Sequence, residues 1–172
     1  MRVKYLDIPR GEKRLLTRRG NAYDVARVMG QMVNDSVSSA TIKEFVKRHP
    51  MNAEEVFNYA YHKASFKPDE KNEQIIKTPF ATIFSKRANC VCYSVLIATL
   101  LKANNIRGFF RLIRQAGATF PQHIYVVTET GEVLDCVIGQ DQTKETSRAN
   151  RENKTGRFNE EAKYFAKFDS PY

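Results

Sequence analysis

Between Asn89 and Asn105 the chain reads NCVCYSVLIATLLKANN, with Lys102 as its one charged side chain and apolar residues on nearly every side of a helical projection. A helix of that kind cannot lie on a surface with one face in water. It has to be central, buried by neighbours all round. Asn89 is a suitable N-cap, and Asn104 with Asn105 gives a plausible stop. The remaining sequence must supply layers to cover this helix.

The covering layers can be read on both sides of it. After Asn21, the residues Ala22, Val25, Val28, Met29, Met32 and Val33 recur at helical spacing and predict an amphipathic helix, weakened slightly by Gly30. Ser39 to His49 predicts a second, short helix ended by Pro50, because the residue before a proline is pushed out of the helical region. Asn52 followed by Glu55 has the pattern of a capping pair, and Val56, Phe57, Ala60, Tyr61 and Ala64 form the apolar face of a third helix. Residues 66–88 carry Pro68, Pro79 and many charges, and they predict an ordered loop with one helical turn near Ala81 to Phe84. Beyond the central helix, Ile106 to Ile113, His123 to Thr128 and Glu132 to Ile138 predict strands, the last two joined by a turn at Thr130 and Gly131. Phe158, Ala162, Phe165 and Ala166 suggest a last short helix in an otherwise polar extension. The order of elements predicts an α+β domain, with N-terminal helices and a buried helix packed on a small antiparallel sheet. The expected divisions are a basic arm over 1–20, a domain over 21–140 and a polar extension over 141–172.

Composition bounds the function classes. The 172 residues are 42% hydrophobic and 27% charged, which excludes a disordered or collagen-like chain. No apolar run reaches the roughly 18 residues of a membrane span, and the first residues lack the apolar stretch of an export signal, so no membrane association is expected. The net charge of +9 is uneven, and Arg2, Lys4, Arg10, Lys13, Arg14, Arg18 and Arg19 crowd the first 20 residues. Such an arm predicts contact with an acidic partner or with nucleic acid, where a plain solubilising role is the alternative. The cysteines, Cys90, Cys92 and Cys136, are odd in number and too few for a disulfide scaffold, which fits a reducing, cytoplasmic setting.

Three residues carry the chemistry. Cys90 falls in the first turn of the central helix, where unpaired N–H groups and the helix dipole favour negative charge. His123 opens a strand, and Asp135 closes the next strand 12 residues later, so the two belong at one edge of a hairpin. A thiol at a helix start, an imidazole to take its proton and a carboxylate to fix the tautomer form the arrangement of nucleophilic catalysis. Singly, each has an ordinary explanation, the cysteine as core and the histidine as a structural or exposed group. Their order and their placement at element ends single them out. The spacing of Cys90 and Cys92 does not match a zinc knuckle, so no metal and no cofactor is expected. His49 and His62 are expected to be solvated, and Phe57, Tyr59 and Tyr61 to be core.

Residue by residue, this segment resembles the transglutaminase-like superfamily of papain-type cysteine enzymes. That family has a cysteine at the start of a buried helix, an aromatic and a small residue three and four positions on, and paired leucines near the helix end. Here these are Cys90, Tyr93 with Ser94, and Leu100 with Leu101, followed by Ile106 leading into a strand. PQHIYVV with His123 and EVLDCV with Asp135 complete the likeness over about residues 55–140, and YAYHKASFKPDEKNEQIIKTP resembles the lead-in of phage and prophage members. The resemblance implies a Cys90–His123–Asp135 triad and acyl transfer through a thioester, ending in hydrolysis of a peptide or isopeptide amide or in crosslinking. Cys90 is favoured over Cys92 by family register and because burial deep in the apolar run should raise the Cys92 thiol pKa. The chain has Ala88 and Asn89 where the family has Gly-Asp, and no tryptophan at all. The oxyanion hole is therefore expected to use the Cys90 backbone N–H, with Gln74 or Gln122 as second donor. Protein or peptide substrates are implied, in a host cytoplasm or on a virion if the chain is phage-encoded. The alternative is a catalytically silent phage structural or binding module of the same fold, using the basic arm to hold nucleic acid or neighbouring virion proteins.

Overall fold

The structure, a computed structural model, describes the backbone of residues 2–7, 14–70, 72–113 and 121–137, with side chains from residue 20 onward. Its centre is the helix foreseen from the apolar run. We number the elements in chain order: β1 (Arg2–Asp7), β2 (Arg14–Arg19), α1 (Ala22–Val37), α2 (Ala40–Arg48), α3 (Ala53–Lys63), β3 (Ser65–Phe66), β4 (Glu73–Lys77), α4 (Pro79–Ser85), β5 (Arg87–Ala88), α5 (Cys90–Ala103), β6 (Gly108–Ile113), β7 (His123–Thr128) and β8 (Val133–Leu134). Every residue of α5 from Val91 to Leu101 is buried. Helices α1, α2, α3 and α4 and strands β4, β6 and β7 all pack against it. No described helix is long and apolar enough to cross a membrane.

Local chemistry sets the helix ends. Asn21 accepts from the Tyr23 and Asp24 backbone N–H groups while Asp24 accepts from the Asn21 N–H, and Asn52 and Glu55 form the same reciprocal box at α3. Ser39 caps α2, which stops at Arg48, two residues before Pro50. At the far end of α5, Lys102 Nζ donates to Asn34 Oδ1 of α1, and the Asn104 side chain donates to Leu100 O while accepting from the Met51 N–H.

The sheet on which α5 rests is β6-β7-β8, antiparallel throughout, with Ile113 opposite His123 and Val126 opposite Leu134. Phe110, Leu112, Ile124, Val126 and Leu134 join the core around α5, while Ile113, Tyr125 and Val127 form a second cluster with Phe109. The alternation of a strand thus puts His123 and Tyr125 on the face away from the main core. This is the α+β arrangement expected, a cysteine-bearing buried helix on a small antiparallel sheet.

Residues 66–88 differ from the expected loop with a single helical turn. They hold β4, α4 and β5 with the end of β3; β5 pairs in parallel with β3, and β4 pairs in parallel with β1. Parallel pairing between segments some 70 residues apart leaves no local turn pattern to read. Within the segment expected as a basic arm over 1–20, residues 2–7 and 14–19 form the antiparallel pair β1 and β2, with β1 beside β4. Strand β8 is shorter than predicted, since the chain turns at Cys136 and Val137. The helix expected over 158–166 and the extension over 141–172 lie outside the described residues.

Candidate active site

The N-terminus of α5 meets the beginning of β7. Asn89 accepts from the Cys92 N–H at 2.8 Å and so caps the helix that starts at Cys90. Asn89 is itself buried and fixed from behind: its Nδ2 donates to Asp69 Oδ2 at 2.6 Å and to the Ile75 carbonyl at 2.8 Å. Asp69 Oδ2 also accepts from the Ile75 N–H at 2.7 Å and from Gln74 Nε2 at 2.9 Å. One carboxylate oxygen therefore gathers β4 and the helix cap into a single polar hub. Burial pushes the Asp69 carboxyl above its ordinary range, against the opposing pull of its Ile75 and Asn89 hydrogen bonds. Asp69 is not legible in the sequence, since its partners are 5, 6 and 20 residues away and leave no spacing pattern.

One turn into α5, the Ser94 hydroxyl contacts both the Cys90 carbonyl, at 2.8 Å, and the Ile124 carbonyl, at 3.3 Å. Ile124 follows His123, so this small polar residue ties the first turn of the helix to the first residues of the strand. Tyr93 Oη donates to the Ala64 carbonyl at 2.5 Å and locks the opposite side of the same turn to the end of α3. The aromatic-small pair picked out in the sequence thus holds the helix start against two neighbours.

His123 and Asp135 are both buried, and His123 Nε2 lies 2.6 Å from Asp135 Oδ2. The other carboxylate oxygen, Oδ1, accepts from the Val137 N–H at 3.0 Å, an Asx-type contact that fixes the carboxylate plane. The Cys90 side chain is near enough to the His123 ring to act on its charge. Asp135 on Nε2 leaves Nδ1 as the ring nitrogen for the sulfur. Burial alone would depress the imidazole, but the Asp135 charge and hydrogen bond, with Cys90 adding to them, outweigh it and push His123 up from 6.5 to about 10. The ring is thereby held as imidazolium at neutral pH. A cation beside the sulfur is what stabilises a thiolate.

Around these three, Tyr125 packs at a tilt against His123 with ring centroids 5.8 Å apart, and burial raises its hydroxyl pKa against the pull of the nearby Arg111 charge. Cys90 is half-buried, whereas Cys92 and Cys136 are buried and unlinked by disulfide. Cys92 points to the other side of the helix, its Sγ 3.4 Å from the Ile75 carbonyl. Of the two glutamines considered as oxyanion donors, Gln74 sits on β4, its amide nitrogen directed to Asp69 Oδ2 and, at 3.4 Å, to the Ile75 carbonyl. Gln122 is exposed beside His123, with its backbone N–H donating to Ile113 O. His49 and His62 are exposed, away from this cluster, and Phe57 is core with Tyr59 and Tyr61 partly buried against it.

Compared with known proteins, residues 24–136 match a family model described as a transglutaminase-like domain. No curated protein matches the chain by sequence. Among solved structures, one described as a "Putative Cysteine Protease" from Cytophaga hutchinsonii aligns at 12% identity with a TM-score of 0.40, over 60% of this chain and 41% of that one. The chain therefore spans less than half the length of that protein.

Proposed function

Since this chain belongs to the transglutaminase-like domain family, we propose that it is a cysteine enzyme that transfers acyl groups from amides through a thioester on Cys90. The observation that carries the reading is the buried His123–Asp135 pair, with Nε2 2.6 Å from Asp135 Oδ2, set beside Cys90 at the start of α5. In this reading the Cys90 thiolate attacks the amide carbonyl carbon, and the carbonyl oxygen takes up the electron pair. The Cys90 backbone N–H, unpaired within the helix by its position in the first turn, supplies one donor to that oxyanion, whereas the Gln74 amide nitrogen is turned to Asp69 Oδ2 and the Ile75 carbonyl in the hub behind Asn89. Collapse breaks the C–N bond, and the His123 imidazolium gives its proton to the departing amine. A water molecule then gives its proton to His123 and its oxygen to the acyl carbon, and the sulfur leaves as thiolate. An amine in place of water would yield a crosslink by the same steps. Hydrolysis is the favoured outcome because water is the more abundant acceptor, which makes the substrate a peptide or isopeptide amide.

The test is formation of a covalent adduct. A peptide vinyl sulfone should add to Cys90 in the full chain, located by mass spectrometry of the digest, and the His123→Ala variant should label at least 100-fold more slowly, as expected for loss of the cation that stabilises the attacking thiolate. Labelling that is equal in the two proteins would overturn the assignment. Product analysis with a fluorescent amine present separates the two fates of the thioester.

A further inference from the structure

Every charged side chain between Glu73 and Glu129 is a lysine or an arginine. That stretch includes α4, α5 and β7, and so both Cys90 and His123. Within it, α4 turns Ala81 and Thr82 inward and leaves Phe80 53% and Phe84 75% exposed. The two phenylalanines are four residues apart on a helix, so they lie on one face as a pair. A lone exposed apolar residue is ordinary, but paired aromatics mark contact surfaces.

The cations collect at the C-terminal end of that same helix. Lys77 Nζ donates to Ser85 Oγ at 3.0 Å and to the Arg87 carbonyl at 2.7 Å, which places its ammonium beside the last turn of α4. Lys86 follows in the left-handed conformation, with φ of 51°, and both it and Arg87 are exposed. Strand β5 brings in a fourth, since the Lys67 N–H bonds the Ala88 carbonyl at 2.8 Å. Nearby Asp69 spends its Oδ2 on three donors of the hub behind Asn89, and Glu70 is exposed beyond it. From Phe84 to Cys90 is six residues, a span of at most about 20 Å, which an extended peptide of similar length covers.

We infer that the exposed face of α4 and the cations around β5 form a docking surface for an acidic segment of the protein substrate, one carrying apolar side chains that cover Phe80 and Phe84. The inference rests on the reading of Cys90 as the acyl-accepting nucleophile. Charge complementarity selects the acidic segment, and the phenylalanine pair selects its apolar anchors. A nucleic acid would also answer the charge, but it offers no acyl group to a thiol. A second copy of the chain, packed isologously, would bring like cations together.

Binding can be measured apart from chemistry on full-length Cys90→Ala. The probe is a fluorescein-labelled decapeptide of glutamates with two leucines four apart, followed by fluorescence anisotropy. Controls are the same peptide with lysines for glutamates, the all-glutamate peptide, and a labelled single-stranded oligodeoxynucleotide. The glutamate-leucine peptide should bind and weaken with salt, whereas the lysine version should not bind. Replacing both aromatics (Phe80→Ser with Phe84→Ser), or both exposed cations (Lys86→Glu with Arg87→Glu), should weaken it about tenfold or more, in line with loss of interface anchors. Because all four side chains are exposed, thermal melts should show the variants folded. Equal binding by the lysine peptide, tighter binding of the oligonucleotide, no loss in either double variant, or self-association that the aromatic variant abolishes would each overturn the inference. Failure of the catalytic reading is seen separately, as a wild-type Cys90 that forms no adduct while the peptide still binds.

Discussion

Burial pushes the Cys92 thiol up from 9.0 to about 12 and the Cys136 thiol well above 9.0, with the nearby Asp135 charge adding to the latter. Neither should offer thiolate at neutral pH, whereas Cys90 is half-buried and faces the His123 imidazolium. Iodoacetamide should therefore modify Cys90 in preference to Cys92 and Cys136 in the folded protein; peptide mapping that finds equal labelling of all three would remove Cys90 as nucleophile. The histidine makes a second prediction. Its folded pKa of about 10 lies above the unfolded 6.5, so its contribution to stability is complete below pH 6.5 and is lost as pH rises through 10. Denaturant unfolding of the wild type should weaken over that window, and His123→Ala should lack this part of the slope. In Asp135→Asn, where burial of the ring remains but the carboxylate charge is gone, the His123 NMR titration should drop towards or below 6.5. Asp135→Ala should cut kcat roughly 10²- to 10⁴-fold with little change in KM, the pattern of a lost orienting group. Unchanged turnover would show that another group orients the ring.

The first turn of helix α5 is fixed from one side because its capping residue is clamped there. Asn89→Ala removes the bond to the Cys92 N–H and two donors to the Asp69–Ile75 hub. The cap alone is worth about 1 kcal/mol, and leaving Asp69 with a missing donor adds roughly 1–3 kcal/mol. Chemical denaturation should report a loss in that range, together with slower alkylation of Cys90 under conditions where the variant is still folded. Stability lost with no change in alkylation would mean that the hub supports the fold and not the thiol. Asn89 could be read as a cap because it stands at the boundary between a charged and an uncharged stretch, and Asn52 because Glu55 follows it three residues later in the pattern of a capping pair; the caps at Asn21 and Ser39 emerge from the structure. His123 and Asp135 were legible because they sit at the ends of apolar strands with a turn at Thr130 and Gly131 between them. Strand β4 was not. Its EQIIK has one fully buried residue, Ile76, and its partner is β1 at the other end of the chain. The hub residue Asp69 was hidden with it, since nothing at Asp69 itself distinguishes a clamp from a solvated loop carboxylate.

Across the whole molecule, the site depends on chain segments that the family match does not include. That match begins at residue 24, yet β1 lies beside β4, pairing Gln74 with Val3 and Ile75 with Lys4. Ile75 is the residue whose N–H and carbonyl bond Asp69 and Asn89, and the Asn89 cap starts the helix that carries Cys90. Strand β4 therefore stands between β1 on one side and, on the other, the hydrogen bonds that lead through Asp69 and Asn89 to the start of the helix carrying Cys90. Removing residues 1–19 would convert β4 into an unpaired strand while leaving α1, α3, α5 and the β6-β7-β8 sheet with their mutual contacts intact. The expected result is a protein that still unfolds cooperatively, with a loss of about 1–3 kcal/mol, in the range of a localised disruption. Cys90 alkylation should slow severalfold, and hydrogen exchange should rise first at Gln74 and Ile76, the amides on either side of Ile75, whose own N–H stays on Asp69. Unchanged exchange at β4 with undiminished alkylation would show the hairpin to be detachable from the site. Loss of the cooperative transition would show instead that the core around α5 cannot stand without it.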